Sequence, residues 1–260
     1  MPGVFVVFEG GEGAGKSTQC RLLADALTGR GHAVVVTREP GGTEIGEAIR
    51  EVLLGAGSHG MAARTEALLF AAARAEHAAA LIRPAMERGA VVISDRYLDS
   101  SVAYQGAARG LGEERIAELS LWATEELVPD LTVVLDVPPR VGLGRAGDAN
   151  RMEAEPEAFH DGVRESFLRQ AAARPGRYLI LDANLPRDAV AGLVLDEVLG
   201  LLSPREGMQD SNGRSAQMEG REEAPVSVRG LPRPGQGGAD PSPVPGPPRA
   251  TAAPDKADRP

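Results

Sequence analysis

The run Gly10-Gly11-Glu12-Gly13-Ala14-Gly15-Lys16-Ser17 fits the pattern G-x-x-x-x-G-K-[ST], with an apolar stretch before it and a helical pattern after it. Each residue type has a physical task at that spacing. The glycines let the backbone wrap a polyphosphate while successive N–H groups, those of Glu12, Gly13 and Ala14 included, point inward at it. A helix beginning near Lys16 turns its positive end towards the anion. Lys16 can reach the β- and γ-phosphates, Ser17 can offer its hydroxyl to Mg2+, and Thr18 follows in the same turn. Composition singles out Lys16, because the chain has two lysines, Lys16 and Lys256, against 26 arginines. A sequence so biased towards arginine reserves its one body lysine for a place that needs a compact ammonium rather than a planar fork. These residues predict a nucleoside triphosphate site. A guanine-reading N-K-x-D motif is excluded for want of a lysine to build it, which leaves a compact kinase acting on a small molecule.

Three further clusters fall where strand ends should meet a ligand crevice. One apolar stretch runs into Thr37-Arg38-Glu39-Pro40-Gly41-Gly42-Thr43. Another runs into Asp95-Arg96-Tyr97 and then Asp99-Ser100-Ser101-Val102-Ala103-Tyr104-Gln105-Gly106. A helical pattern between them carries Phe70, Arg74 and His77. Two guanidinium forks, Arg38 and Arg96, beside a phosphate loop suit an anionic acceptor such as a monophosphate. Either arginine alone reads equally as a structural ion pair, and Phe70 alone as a core aromatic. Asp95, at a strand end, is a candidate for holding a metal-bound water, with Asp136 as its competitor. His77 is expected in a structural polar contact, and His32, His59 and His160 have no metal-ligand spacing.

What must position these groups is an alternation of short apolar strands and amphipathic helices. Strands are expected at residues 4–8, 33–36, 90–94, 131–137 and 178–181. Helices are expected near 16–28, 44–54, 64–88, 113–127, 155–173 and 187–202. Such short, fully apolar strands predict an α/β domain with a five-stranded parallel sheet flanked by helices on both faces, a three-layer P-loop NTPase-type fold. That domain takes residues 1–203 of the 260. Residues 204–260 hold 11 of the 20 prolines and no Ile, Phe, Tyr or Trp, and are expected to be a disordered Pro/Gly-rich tail.

Charge divides along the same boundary: residues 1–203 carry 29 acids against 20 Lys and Arg, the tail eight of each. An acidic body argues against a nucleic-acid partner. No apolar run approaches the ~18 residues of a membrane span. The first residues, Met1-Pro2-Gly3-Val4, have no basic flank or signal-like apolar core, so a cytoplasmic protein is expected. The single cysteine, Cys20, excludes a disulfide framework and reads as small apolar filler on a helix.

Taken together, the phosphate loop within residues 8–19, residues 37–43, residues 68–77, Asp95-Arg96-Tyr97 and residues 99–106 resemble the thymidylate kinase family over about residues 3–202. The resemblance implies the reaction ATP + dTMP giving ADP + dTDP, with Mg2+ and as a homodimer. It implies Phe70 stacked on thymine and Arg74 hydrogen-bonded to the base edge. It also implies Arg38 and Arg96 on the dTMP phosphate, and Ser101, Tyr104 and Gln105 around the sugar and base. Glu12 stands where the family has an acid near the acceptor sugar and the metal. Lys16, Ser17 with Mg2+, and Arg96 would offset charge in the transfer, with Asp95 beside the metal. In this family a mobile lid, here about residues 140–154, supplies catalytic arginines when the phosphate loop lacks one. Gly13 occupies the loop position that carries Arg in some members, so Arg151 is the first candidate and Arg145 the second. Two alternatives stay open: another small nucleoside or nucleoside monophosphate kinase, and a non-catalytic nucleotide-binding adaptor.

Overall fold

The computed structural model describes residues 3–203 except 59 and 146–150, together with the short strand Ser227–Arg229. Five strands form a parallel sheet: β1 (Val4–Glu9), β2 (Val34–Arg38), β3 (Val91–Asp95), β4 (Leu131–Asp136) and β5 (Tyr178–Asp182). A sixth, β6 (Ser227–Arg229), pairs in parallel with β5 and completes the order β2-β3-β1-β4-β5-β6. β6 comes from the segment expected to be a disordered tail; the rest of 204–260 lies outside the described residues, as does 146–150 of the expected lid.

Alternation along the strands explains the three layers. On β1, Val6 and Phe8 pack with Leu23 and Leu27 of α1 (Lys16–Thr28), below a late helix carrying Val190, Val194 and Val198. Phe5 and Val7 point the other way, onto Ile82, Ala85, Tyr97 and Leu98. β5 repeats the rule, with Leu179 and Leu181 on the α1 face and Tyr178 and Ile180 on the opposite one. A sheet buried on both faces has no polar side, which is why its strands read as unbroken apolar runs. Cys20 lies in the α1-face core, as its bland reading predicts.

The remaining helices are α2 (Glu44–Leu54), α3 (Ala63–His77), α4 (Arg83–Glu87), α5 (Leu98–Ser101), α6 (Glu113–Ala123), α7 (Pro139–Arg145), α8 (Glu157–Ala173) and α9 (Arg187–Leu202). The single helix expected over 64–88 is interrupted by a π-turn, Ala78–Ile82, directly after His77. A second π-segment, Val102–Ala108, continues α5 and carries Tyr104 and Gln105. Such wide turns gather at functional sites because they rotate side chains off the regular helical face.

Register fixes the site. Phe8 and Arg38 both pair with Asp95, so β1, β2 and β3 end level with one another. β1 lies between β3, which leads to β2, and β4 on its other side, the reversal point where open parallel sheets bind ligands. Among the described residues no helix is long and apolar enough to cross a membrane.

Candidate active site

The turn between β1 and α1 has its shape imposed by glycines. Gly10 and Gly13 have positive φ, 134° and 64°, which L side chains rarely adopt. Space forbids a side chain as well. A Cβ on Gly10 would collide with the Leu135 carbonyl oxygen, and one on Gly13 with that of Gly142 in α7. Lys16 is buried, and its Nζ donates to the carbonyls of Gly10 (3.1 Å) and Gly11 (2.7 Å), inside the curve of the loop. Burial, and then the nearby charge of Arg96, hold its ammonium below the usual lysine value. The Ser17 hydroxyl donates to the Asp95 carboxylate.

Opposite the loop stands Arg96, whose own backbone is left-handed at φ 73°. A bulky residue held there signals that its surroundings over-determine it. Its N–H donates to Phe8 O (2.9 Å), and Tyr97 N and Ser100 N donate to Glu9 Oε1 at 2.9 and 3.1 Å. The guanidinium donates to Glu12 Oε1 (2.9 Å), Tyr104 Oη (3.1 Å), Ser100 Oγ (3.0 Å) and Gly10 O (3.2 Å). Tyr104 Oη donates in turn to Glu12 Oε1 at 2.8 Å. Burial opposes ionisation of Glu12, but Arg96, Lys16 and the Tyr104 hydroxyl bring its carboxyl down to about 2. Burial also opposes the charge on Arg96, and Glu12 with other nearby anions outweighs it, leaving the guanidinium more firmly protonated than usual.

One cleft of about 530 Å3 joins these groups, lined by Gly13, Lys16, Ser17, Arg38, Phe70 and Arg96, with Thr18, Arg74, Asp95, Ser101, Tyr104 and Gln105 also on its wall. Phe70 is half-buried on that wall and belongs to none of the described apolar clusters. Arg38 pairs with Glu47 at 3.0 Å, and its side chain is 55% exposed, against 16% for Arg96. The two arginines thus differ: Arg96 is fixed, while Arg38 is held by one solvent-screened pair and is free to exchange it.

Behind the wall runs a buried polar chain. Arg74 Nε donates to Glu39 Oε2 (2.7 Å), and its Nη atoms donate to Ser120 Oγ, Tyr97 O and Ser101 Oγ. Glu39 Oε1 lies 3.0 Å from His77 Nδ1, and His77 Nε2 lies 2.7 Å from Thr37 Oγ1. His77 is therefore the structural contact its position suggested.

The lid candidates are placed apart. Arg145, at the end of α7, lines the cleft, and its guanidinium donates to Ala183 O and Asn184 Oδ1. Arg151 lines a second, separate cavity with Arg109 and Glu155, and its Nη1 donates to Glu66 Oε2 at 2.6 Å. Asp136 makes a bidentate pair with Arg164 at 2.6 and 2.8 Å and is absent from the cleft wall, unlike Asp95. Two groups near the site carry fainter sequence signals. Arg50 reaches the cleft from α2 and donates to Pro40 O (2.7 Å); its signal was its place one turn after Glu47, on the helix that follows the Arg38 cluster. Glu9 was legible as an acid ending an otherwise apolar strand.

For Mg2+, the donor chemistry fits. Ser17 and Asp95 offer hard oxygens side by side at the mouth of the loop. Among the described residues no cluster of three or more His, Cys, Asp or Glu could hold a metal unaided.

Fold and site together define a P-loop α/β protein whose phosphate loop opens onto an arginine-walled cleft. The family model for thymidylate kinase matches residues 8–193. The chain is 54% identical over 195 residues to the thymidylate kinase of Clavibacter sepedonicus, covering 74% of this chain and 92% of the relative. It is 51% identical over 207 residues to that of Clavibacter michiganensis subsp. michiganensis, covering 78% and 98%. Against that of Cutibacterium acnes it is 48% identical over 203 residues, covering 78% and 100%. The chain belongs to the thymidylate kinase family, a family of nucleoside monophosphate kinases.

Proposed function

We propose that the protein transfers the γ-phosphoryl group of ATP to dTMP, giving ADP and dTDP. The observation that carries this reading is the single cleft in which the phosphate loop with Lys16 faces Arg96 and Arg38. A phosphate oxygen of dTMP attacks the γ-phosphorus in line, and the bond from that phosphorus to the β-phosphate oxygen breaks, releasing ADP. A phosphate monoester dianion is already nucleophilic, so no general base is needed. Catalysis then rests on positioning and charge neutralisation. Lys16 leaves its two carbonyl partners for the donor phosphates, and Arg96 faces the acceptor phosphate. Arg38 exchanges Glu47 for the same anion. Mg2+, when bound, offsets phosphate charge, with Ser17 and Asp95 as the protein oxygens that hold it or its water. Phe70 offers a ring face to the base, and Arg74 and Ser101 lie along the base edge. Glu12 and Tyr104 take the sugar side. For the lid, Arg145 is the arginine already on the cleft wall, whereas Arg151 would first have to leave Glu66.

A homodimer belongs to the same reading. Ile45 and Val52 on α2, Leu68 on α3 and Trp122 on α6 are exposed apolar side chains on helices of which α3 packs against both others, and exposed apolar side chains favour association. The alanine-rich stretch of residues 71–80 would permit close helix packing but is partly spent inside, since Ala71, Ala73 and Ala78 are buried. The test of function is a coupled ADP-release assay with dTMP, dCMP, dAMP and thymidine, using Lys16→Ala as the negative control. ADP release that depends on dTMP supports the proposal. Preference for thymidine favours a nucleoside kinase, and ATP binding with no acceptor-dependent release favours the adaptor.

A further inference from the structure

Glu66, on α3, is fully buried and absent from the cleft wall. Its Oε1 accepts from Gln105 Nε2 at 2.8 Å and Arg109 Nε at 3.3 Å. Its Oε2 accepts from Arg151 Nη1 at 2.6 Å and Arg109 Nη2 at 3.4 Å. Two guanidinium groups and an amide thus surround one carboxylate. Arg109 is itself anchored, donating to Glu155 Oε1 at 2.6 Å and lying over the Phe159 ring. Burial works against the charge on Glu66, and these hydrogen bonds and cations outweigh it, so the carboxyl sits below its ordinary value.

An ionised carboxylate accepts hydrogen bonds and cannot donate them. The amide of Gln105 has two ends, and only its NH2 end can face Glu66. Its carbonyl oxygen is therefore the end turned to the cleft, on whose wall Gln105 lies. We propose that Glu66 is a specificity-determining positioning residue: by fixing the amide orientation of Gln105 it presents an acceptor to the nucleobase, selecting a pyrimidine with a ring N–H. Thymine and uracil carry that N–H at N3. Cytosine carries a lone pair there, and two acceptors face to face repel. The selection is thus partly a repulsion against the wrong base, built by a group that never touches either base. Glutamine at position 66 could donate or accept, so Gln105 would be released to turn its NH2 end into the cleft. This inference rests on the thymidylate reading proposed above.

The test compares kcat/KM for dTMP and dCMP in the full-length wild type, Glu66→Gln and the double variant Glu66→Gln/Arg151→Gln. The double variant removes a cation that the single one leaves without its counter-charge. Thermal unfolding of each establishes that it is folded. The dTMP-to-dCMP ratio is expected to fall about tenfold in whichever variant folds, the size of one hydrogen bond, whatever the change in overall turnover in the variant that also lacks Arg151. A ratio unchanged while both acceptors decline together overturns the proposal, as does failure of both variants to fold, since Glu66 is then a residue of the fold alone. Absence of dTMP-dependent ADP release in the wild type would instead defeat the thymidylate reading, a result separable from either outcome for Glu66.

Discussion

On the donor side of the cleft, the groups proposed to hold phosphate lie on one continuous turn, Gly10 to Ser17, whose shape is set by main-chain geometry and the close passage of Leu135 and Gly142. On the acceptor side the proposed recognition groups, Arg38, Phe70, Arg74, Arg96 and Gln105, come from separate elements, and Arg74, Arg96 and Gln105 are held by side-chain hydrogen bonds that are buried or partly buried. The first arrangement is a local device that works wherever a strand meets a helix with that spacing. The second is a web in which three of the recognition groups each lean on an acid: Arg74 on Glu39, Arg96 on Glu12, Gln105 on Glu66. Substitutions on the donor side should therefore act on chemistry with little change in stability. Acceptor-side substitutions should mix recognition with folding.

The largest effect is expected for Lys16→Ala, a loss of about 10²–10³-fold in kcat by analogy with removal of a charge-stabilising donor, with circular dichroism unchanged. Arg96→Ala should follow closely, lowering kcat rather than only raising KM for dTMP. An Arg96→Ala protein that does not fold would move this arginine from chemistry to architecture, the acceptor-side extreme of the contrast. Arg38→Ala should raise KM for dTMP by about tenfold, the worth of a charge-assisted hydrogen bond, leaving KM for ATP alone. An equal effect on both substrates would break the division between the two sides. For the lid pair, Arg145→Ala should lower kcat more than Arg151→Ala, and the reverse order would mean that the Glu66 pair opens during turnover.

The smallest effect concerns acid stability. The folded protein holds Glu12 at about 2, below its ordinary 4.5, so its ion pair contributes fully above 4.5 and is lost as pH falls from about 4.5 towards 2. Thermal unfolding of Glu12→Gln between pH 5 and 2 should lack that part of the wild-type decline. Parallel curves for the two proteins would show that Arg96 does not depend on Glu12.

The parts of the molecule that were legible in advance are those governed by short-range rules. Strands such as β1 and β5 announce themselves as apolar runs, and the phosphate loop by spacing. Helix α7 was missed because its residues, Pro139 to Arg145, include two glycines and read as loop; it forms against the phosphate loop, where its backbone fits closely. The break at Ala78–Ile82 was hidden because an alanine-rich segment carries no local signal that separates α- from π-geometry; Ile82 at its end packs into the core with Phe5 and Val7. Arg38 and Arg96 were legible as cations at strand ends. That Arg151 and Asp136 would each be claimed by a distant partner, Glu66 and Arg164, was not, because no local pattern encodes a contact between residues so far apart.

The meeting of Gly13 with Gly142 carries one more consequence. Two main chains lie in direct apposition there, and a side chain on either would strike the other's backbone, Gly142 meeting Glu12 as Gly13 meets Gly142. Mutational drift at one site is barred unless the other strand of the pair retreats with it. A cation cannot be gained within the loop at position 13 without displacing Gly142, so added positive charge at that end of the cleft must come from elsewhere, as from Arg145 at the end of α7 itself.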